Sequence, residues 1–209
     1  MSERVFWDVD TQVDFMLPEG KLYVPGAETI AANLARLTDH AHASGIRIVA
    51  SSDNHDPDDE ELSDTPDFRD TFPPHCMRGT PGQARIPDTT LRHPLVIEPE
   101  DAAESVATRL ASHAGDILFH KHYFDVFTNP HVAPAVQALG VSEVILYGVA
   151  LDVCDRYAVE GLLDRFPEIG VSVVTDAVRA LDEGGRAALL GAWEARGVTL
   201  VRTEEVLGR

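Results

Sequence analysis

Four apolar segments of the chain are each closely followed by a residue that can do chemistry. Asp10 follows the first segment and Asp53 follows the second. Lys121 and Cys154 follow two later segments. If these segments are strands of one parallel sheet, their carboxyl ends meet at the same edge and the four side chains converge there. A thiol beside a carboxylate proton acceptor and an ammonium group is an activated nucleophile, so the pattern predicts attack on a carbonyl carbon.

Cys154 is the candidate nucleophile because a predicted helix begins next to it, near residue 155. The partial positive charge of a helix N-terminus and a nearby ammonium group both favour the thiolate. A lone cysteine is more often a small buried apolar residue, and Cys76, which lies beside a histidine in a predicted loop, is an alternative reactive thiol. Asp10 is preferred over Asp14 as the acid because it lies nearer the strand end.

A second group of residues has the types that bind a divalent transition metal. Asp53 and His55 lie two positions apart, so in an extended segment their side chains point to the same side. His75 arrives from a proline-rich stretch. Three protein ligands would leave coordination positions for water or substrate. The sequence does not choose among three candidates for a fourth ligand: Glu60, Glu61 and Asp64.

The elements that must position these residues alternate between strand and helix patterns. Six short apolar runs are predicted as strands: residues 5–9, 46–50, 116–119, 144–149, 171–175 and 198–201. Five amphipathic or capped segments are predicted as helices: residues 27–42, 99–112, 130–139, 155–166 and 183–195. This alternation predicts an α/β fold, a three-layer α/β/α sandwich around a mostly parallel sheet of about six strands. Residues 53–93 are predicted as a long, ordered loop within a single domain of residues 1–209.

Composition excludes several classes of function. The chain has 35 acidic residues against 17 Lys and Arg, a formal charge of −18, so nucleic acid and anionic membranes are not expected partners. No apolar run approaches the 18 residues of a membrane span, and the first ten residues do not follow the pattern of a secretory signal. With only two cysteines, we expect free thiols and a cytoplasmic protein.

Five motifs follow one another between residue 5 and about residue 180: Asp10-x-Gln12-x-Asp14-Phe15, Asp53-x-His55, Phe72-Pro73-Pro74-His75-Cys76-x-x-Gly79-Thr80-Pro81-Gly82, Lys121 and Gly148-Val149-Ala150-x-Asp152-x-Cys154. In this order they resemble the nicotinamidase/isochorismatase-like cysteine hydrolases. The third motif is the most specific and points to the metal-binding nicotinamidase branch, because isochorismatases usually lack that metal set.

The resemblance implies an Asp–Lys–Cys triad of Asp10, Lys121 and Cys154. It also implies a divalent metal, zinc in the first place with Fe²⁺ or Mn²⁺ as alternatives, on three ligands: Asp53, His55 and His75. A cis peptide bond is expected between Val149 and Ala150, with the backbone N–H groups of Ala150 and Cys154 as the oxyanion hole.

Two further positions are implied as substrate contacts. Phe15 and Phe72 match the aromatic residues that flank the pyridine ring in nicotinamidases, although the second is more often Trp. Residues 122–127 also depart from the usual glycine-rich continuation after the lysine. These departures concern the ring of the substrate and leave the triad unaffected.

The expected activity is hydrolysis of a small carboxamide, nicotinamide to nicotinate and ammonia in the first place, through a thioester on Cys154. The alternatives are another small amide, a relative that binds metal or ligand without chemistry, and a hydrolase that uses metal-bound water alone. The expected partner is the small-molecule substrate. A homo-oligomer stays open because no surface in the sequence requires one.

Overall fold

A single sheet organises residues 3–208, the part of the chain that the computed structural model describes; residues 1, 2 and 209 of the predicted domain lie outside it. Its seven strands are β1 (Glu3–Val9), β2 (Arg47–Asp53), β3 (Leu95–Ile97), β4 (Ile117–Lys121), β5 (Val141–Val149), β6 (Gly170–Arg179) and β7 (Thr199–Val201). They lie in the order β3-β4-β2-β1-β5-β6-β7, and neighbouring strands are parallel. The α/β fold predicted from the sequence is confirmed.

The predicted count of about six strands was wrong. The additional strand is β3, which pairs with β4 at one edge of the sheet. It has three residues and lies between Pro94 and Pro99, so it is too short to show a period in the sequence.

Helices cover both faces of the sheet. They are α1 (Val13–Met16), α2 (Ala31–Ser44), α3 (Ala103–Ser112), α4 (Val132–Leu139), α5 (Cys154–Arg165), α6 (Arg186–Ala195) and α7 (Thr203–Leu207). Buried side chains of α3, α4, α5 and α6 join one hydrophobic cluster, and those of α1, α2 and α7 join the other. No helix in residues 3–208 is long and apolar enough to cross a membrane.

The central strand β1 shows how the sequence builds the two cores. Val5 and Trp7 pack into one cluster and Phe6 into the other, as the two-residue period of a strand requires. Asp8 interrupts the apolar run, but its buried carboxylate accepts hydrogen bonds from Thr11 and Arg85. A charge is tolerated in the core here because it is paired.

Two helix ends agree with the sequence prediction, while one helix start and one strand end differ from it. Gly45 and Gly140 end α2 and α4 in left-handed conformations with φ of 68° and 65°, as their positions in the sequence predict. The helix predicted from residue 99 begins at Ala103, because Asp101 accepts a hydrogen bond from the backbone N–H of Glu98 and forms a turn there. The strand predicted to end at residue 175 continues to Arg179 through a register shift.

The long segment after β2 is irregular and is attached to the start of the chain. One carboxylate oxygen of Asp14 accepts a hydrogen bond from the backbone N–H of Cys76 at 2.7 Å, and the other accepts one from the backbone N–H of Lys21 at 3.0 Å. Gly82 lies directly against this carboxylate, where a Cβ atom would come within 2.2 Å of it. A glycine is therefore required at this position for the segment to reach α1.

Candidate active site

Asp10, Lys121 and Cys154 meet at the carboxyl-terminal edge of the sheet. Lys121 is the last residue of β4, and its Nζ lies 2.9 Å from Oδ2 of Asp10 and 3.7 Å from Sγ of Cys154. Asp10 directly follows β1, and Cys154 is the first residue of α5. All three are buried. The convergence predicted from the strand ends is present in the structure.

The carboxylate of Asp10 is held by its surroundings. Ser51 donates a hydroxyl hydrogen bond to Oδ1 of Asp10 at 2.7 Å, while Oδ2 faces Lys121. The Asp10 backbone has a left-handed φ of 49°, which is uncommon for a residue with a side chain. Oδ1 is thus held by a hydrogen bond, and Oδ2 by its ion pair with Lys121.

Burial and charge shift the pKa values of the three groups. Burial disfavours the charged form of Lys121, but the carboxylates of Asp10 and Asp53 outweigh it and raise the Lys121 pKa, so the ammonium ion persists. Burial raises the pKa of Asp10 despite the opposing charge of Lys121. Burial likewise raises the pKa of Cys154. The thiol is therefore protonated at rest, beside a carboxylate that is a stronger base than an exposed aspartate.

A second cluster lies beside the triad. Asp53, His55, Glu61 and His75 are buried, and one potential ligand atom from each lies within 4.8 Å of the others. Nε2 of His75 is 3.4 Å from Oδ2 of Asp53 and 3.7 Å from Oε1 of Glu61. Of the three candidates for a fourth ligand, the structure brings Glu61 to the cluster.

The other two candidates are not part of this cluster. Glu60 and Asp64 are both exposed. Glu60 instead lines an acidic surface cleft with Asp58 and Glu100. Because the segment containing all three acids has no regular period, the sequence carried no signal to separate Glu61 from its neighbours.

The donor atoms of the cluster fit a divalent metal such as zinc. Nε2 of His55, Nε2 of His75 and Oε2 of Glu61 are buried without hydrogen-bond partners, which is costly unless an ion satisfies them. Nδ1–H of His55 donates to Asp59 at 2.9 Å, and Nδ1–H of His75 donates to the Pro73 carbonyl at 2.8 Å. With Nδ1 protonated, each ring presents the lone pair of Nε2 to the cluster.

Asp53 belongs to both groups of residues. Its Oδ1 pairs with the ammonium group of Lys121, and its Oδ2 faces His75 and, at 3.8 Å, His55. Burial alone would raise the Asp53 pKa, but Lys121 and the two histidines lower it well below the usual range. The side chain of Gln12 fixes the Asp53 backbone, accepting from its N–H at 2.7 Å and donating to its carbonyl at 2.8 Å.

A narrow apolar pocket opens onto the sulfur atom. Phe15, Phe72 and Phe124 line it together with Cys154 and His75. The ring centroids of Phe15 and His75 lie 5.2 Å apart, so this aromatic wall reaches the metal-ligating cluster. Phe15 and Phe72 thus lie where the predicted substrate contacts are needed, and their role in binding stays a prediction.

The alternative thiol lies outside this pocket. Cys76 is fully buried among apolar residues, and burial raises its pKa well above the usual value. Its backbone N–H is engaged by Asp14. The surroundings of Cys76 are those of a structural residue.

The turn before Cys154 brings backbone groups to the same pocket. The Val149–Ala150 peptide bond is cis, as expected. The Ala150 carbonyl accepts hydrogen bonds from the N–H groups of Val153 and Asp155, each at 3.0 Å. Ala150 and Cys154 both line the pocket. Their N–H groups as an oxyanion hole remain a prediction.

Several site residues were not identified from the sequence. Gln12 lies inside the first motif and His122 directly follows Lys121, so both carried a positional signal. Asp59, which accepts hydrogen bonds from His55 and His122, and Phe124, which lines the pocket, carried none. Their places depend on how two irregular segments fold against each other.

Comparison with known proteins identifies the family. A model of the Isochorismatase domain matches residues 8–205. The chain belongs to the Isochorismatase family. Over 78 residues it is 40% identical to the nicotinamidase/pyrazinamidase of Mycobacterium tuberculosis, and this match covers 35% of the chain and 39% of that protein.

Solved structures share the fold of this Isochorismatase-family chain. The pyrazinamidase of Pyrococcus horikoshii in complex with zinc aligns with a TM-score of 0.74 at 24% identity, over 96% of this chain and 99% of that one. The N-carbamoylsarcosine amidase of Thermoplasma acidophilum aligns with a TM-score of 0.70 at 23% identity, over 96% of each chain. At these identities the likeness shows the fold alone.

Proposed function

We propose that the protein is a cysteine amidohydrolase of small carboxamides, with nicotinamide as the first candidate substrate and nicotinate and ammonia as products. The observation that carries the proposal is the sharing of Asp53. This carboxylate joins the buried Cys154–Lys121 pair to a metal-ligating cluster at one pocket. The match to a nicotinamidase/pyrazinamidase and the fold shared with a zinc-bound pyrazinamidase support the same reading.

In the first step, Sγ of Cys154 attacks the carbonyl carbon while its proton passes to Asp10. The carbon–sulfur bond forms, and the electron pair of the carbonyl moves to its oxygen. The backbone N–H groups of Ala150 and Cys154 would hold this oxyanion, each contributing roughly 3–4 kcal/mol to the transition state. Lys121 keeps its charge throughout, because two carboxylates raise its pKa. It stabilises the thiolate as the thiolate forms.

In the second step, the carbon–nitrogen bond breaks as Asp10 returns its proton to the leaving nitrogen, which departs as ammonia. The acyl group remains on Cys154 as a thioester. Asp10 then accepts a proton from a water molecule that attacks this thioester. The carbon–sulfur bond then breaks, Asp10 passes this proton to Sγ, and the carboxylic acid leaves, so the protein ends the cycle unchanged.

The residues that would hold the metal are Asp53, His55, Glu61 and His75. Zinc suits two histidines and two carboxylates, and Fe²⁺ and Mn²⁺ are alternatives. When bound, such an ion supplies a Lewis-acid position for a ring nitrogen or a water molecule. Asp59 and the Pro73 carbonyl keep the two imidazole rings in the ligating orientation.

Substitution of the nucleophile tests the proposal. Cys154→Ala should lower ammonia release from nicotinamide by more than about 10³-fold, since no other group forms the thioester. The matched control is Cys76→Ala, which removes the thiol that lies outside the pocket and should retain most of the activity. Circular dichroism and metal analysis should match the wild type in both variants. A Cys154→Ala protein that stays active but is inactivated by a chelator would instead establish hydrolysis by metal-bound water.

Two other functions can be distinguished from nicotinamide hydrolysis by experiment. Hydrolysis of a different small amide is favoured by Phe124, which fills part of the pocket wall where the resemblance led us to expect glycine-rich sequence. Ammonia release from a panel of amides separates this from nicotinamide hydrolysis. A binding protein without chemistry would bind these amides in calorimetry and release ammonia from none of them. A cytoplasmic setting and a homo-oligomer stay predictions.

A further inference from the structure

The pocket at Cys154 continues outward into a larger vestibule. The inner cavity has a volume of about 20 Å³ and the vestibule about 750 Å³. Five residues line both of them: Leu22, Phe72, Phe124, Val153 and Leu181. The inner cavity alone has room for about one water molecule, since one needs about 10–15 Å³ of such volume. A group that extends the acyl part of a substrate therefore finds more room in the direction of the vestibule.

Two aromatic pairs form the walls of this passage. Phe72, which lines the inner pocket, lies edge-on to Phe68 at 6.4 Å between ring centroids. On the other side, Phe124 lies 4.7 Å from Tyr157 in a tilted arrangement. Each pair thus joins a residue of the inner pocket to a residue of the vestibule. The walls present ring faces and edges along the way from the sulfur atom to the surface.

The outer member of each pair is unusually exposed. Phe68 is 65% exposed and Tyr157 is 40% exposed, and they are the two exposed large hydrophobic residues among residues 3–208. Single exposed apolar residues need no explanation, but these two line the same cavity, where each offers apolar surface to a ligand. Their common position at the mouth of the pocket connects this exposure with the chemistry.

The segment around Phe68 is built to hold the ring there. Oδ1 of Asp67 accepts hydrogen bonds from the backbone N–H groups of Arg69, Asp70 and Thr71 at 2.9–3.0 Å. Phe68 itself has a left-handed φ of 57°, and its N–H donates to the Thr71 carbonyl. The loop is therefore a defined turn, and its backbone fixes where the exposed ring projects.

Charged side chains of both signs also line the vestibule. Arg156 pairs with Glu160 at 3.0 Å, Arg69 lies 4.0 Å from Asp70, and the carboxylate of Asp152 accepts hydrogen bonds from two backbone N–H groups. Because these opposite charges largely offset one another, they favour neither an anionic nor a cationic ligand. The aromatic rings that join the vestibule to the pocket therefore favour an uncharged group.

We infer that the site takes carboxamides whose acyl group carries an uncharged aryl or alkyl extension, and that this extension lies between Phe68 and Tyr157. The inference rests on the proposed amidase function and refines its substrate class. The continuity of the vestibule with the pocket favours a substrate as the occupant over a second copy of the chain.

The test compares kcat/KM for ammonia release from nicotinamide and from 5-methyl-, 5-butyl- and 5-phenylnicotinamide. A parallel series of acetamide, hexanamide and 4-phenylbutanamide makes the result independent of the pyridine ring. We expect kcat/KM to rise about tenfold from the shortest to the longest member of each series, because the extension buries apolar area against aromatic walls. Values that stay flat or fall with length while nicotinamide is hydrolysed overturn the inference and leave the proposed function intact.

Two substitutions test where the extension of the substrate binds. Phe68→Ala and Tyr157→Ala should each lower the ratio of kcat/KM for 5-phenylnicotinamide to that for nicotinamide by about fivefold. The matched control is His93→Ala, which removes an exposed ring that also has a left-handed backbone, with φ of 47°, and that lines a different cavity beside Asp116. An unchanged ratio in Phe68→Ala and Tyr157→Ala overturns the inference.

Binding measurements test this inference independently of the proposed amidase function. Calorimetry on the Cys154→Ala protein should give a lower Kd for 5-phenylnicotinamide than for nicotinamide, and Phe68→Ala should remove the difference. If the wild type releases ammonia from no amide but this preference holds, the amidase function fails and the extended subsite stands. A dimer in sedimentation that Phe68→Ala dissociates would overturn the inference, because a second copy would then occupy the vestibule.

Discussion

Two buried aspartates at opposite ends of the parallel strands, Asp116 and Asp53, have different surroundings. At the amino-terminal edge, Asp116 accepts hydrogen bonds from the N–H groups of Ile48 and Arg92 and pairs with His42 at 2.8 Å. At the carboxyl-terminal edge, Asp53 and its neighbours face one another, and several of their atoms have no hydrogen-bond partner. Both edges contain a buried aspartate, but only at the amino-terminal edge do groups of the chain itself supply the hydrogen bonds.

The contrast separates structural from chemical uses of buried charge. A buried carboxylate whose partners are backbone N–H groups stabilises the connections around it. A group of buried donors and acceptors left facing one another costs stability unless a ligand, an ion or a reacting group completes it. Substitutions at the carboxyl-terminal edge are therefore expected to change binding and chemistry as well as stability, and those at the amino-terminal edge to change stability alone.

The largest effect is expected at Lys121, which is the only cation between Asp10 and Asp53 among the described contacts. Lys121→Met leaves two buried carboxylates uncompensated and should lower the free energy of unfolding by about 3–5 kcal/mol, as measured by urea titration. Lys21→Met removes the other lysine of the chain, which is exposed, and should change stability by less than about 0.5 kcal/mol. Equal effects of the two substitutions would contradict this role of the buried ion pairs.

At the opposite edge, Asp116→Ala should lower the free energy of unfolding by about 2–4 kcal/mol, because the N–H groups of Ile48 and Arg92 lose their acceptor. The kcat/KM of the folded protein should not change. Urea titration and ammonia release measured on the same sample separate the two effects. A loss of activity in fully folded protein would show that the edges are coupled, and the contrast between them would fail.

Asp59 tests whether the metal-ligating cluster depends on its surroundings. Asp59→Ala removes the acceptor of His55 Nδ1–H and should weaken zinc affinity by about 10- to 100-fold in a competition titration with a chelating dye. Asp58→Ala removes an exposed neighbour of the same charge and should leave zinc affinity within about twofold of the wild type. If both substitutions weaken binding equally, general electrostatic attraction explains the effect and orientation of His55 does not.

Asp155 gives the smallest effect, a dependence of stability on pH. Burial raises the Asp155 pKa well above the usual value of an aspartate, and neither carboxylate oxygen has a hydrogen-bond partner. Because the folded pKa is raised, the folded state binds the proton more tightly. The contribution of this proton to the free energy of unfolding is fully present below the pKa of the unfolded state. It is lost as pH rises through the pKa of the folded state, by up to about 1.4 kcal/mol per pH unit.

Asp155→Asn should therefore gain stability relative to the wild type as pH rises above about 4, with unfolding followed in urea at several pH values. The same substitution below that pH should have little effect. A difference between the two proteins that does not vary with pH would show that Asp155 does not change its protonation between the folded and unfolded states.

The sequence was most informative where regular elements deliver side chains to one place. Asp10, Lys121 and Cys154 could be predicted to meet because each lies at or just beyond the end of a strand whose apolar run is visible, and parallel strands share their carboxyl-terminal edge. Strand β3 could not be predicted, because three residues between prolines carry no period. The α/β class survived that omission, since one short edge strand does not change the alternation of elements.

Irregular segments limited what could be predicted of the site. The side chain that completes the metal-ligating cluster is Glu61, and Glu60 next to it points elsewhere because of the turn geometry of a loop without repeating structure. Phe124 lies just before a 3₁₀ turn at Val126–Thr128 and lines the pocket, where its ring packs against Tyr157. Such placements depend on tertiary contacts between distant segments, which spacing along the chain does not encode.

The two oxygens of Asp53 serve different neighbours, and this has a consequence for redesign of the protein. Replacement of His55 and His75 would leave Asp53 in place as the counter-charge of Lys121. Replacement of Asp53 itself would change the candidate metal-binding cluster and the surroundings of Lys121 at the same time. The two groups of residues can therefore be altered separately at the histidines but not at this aspartate.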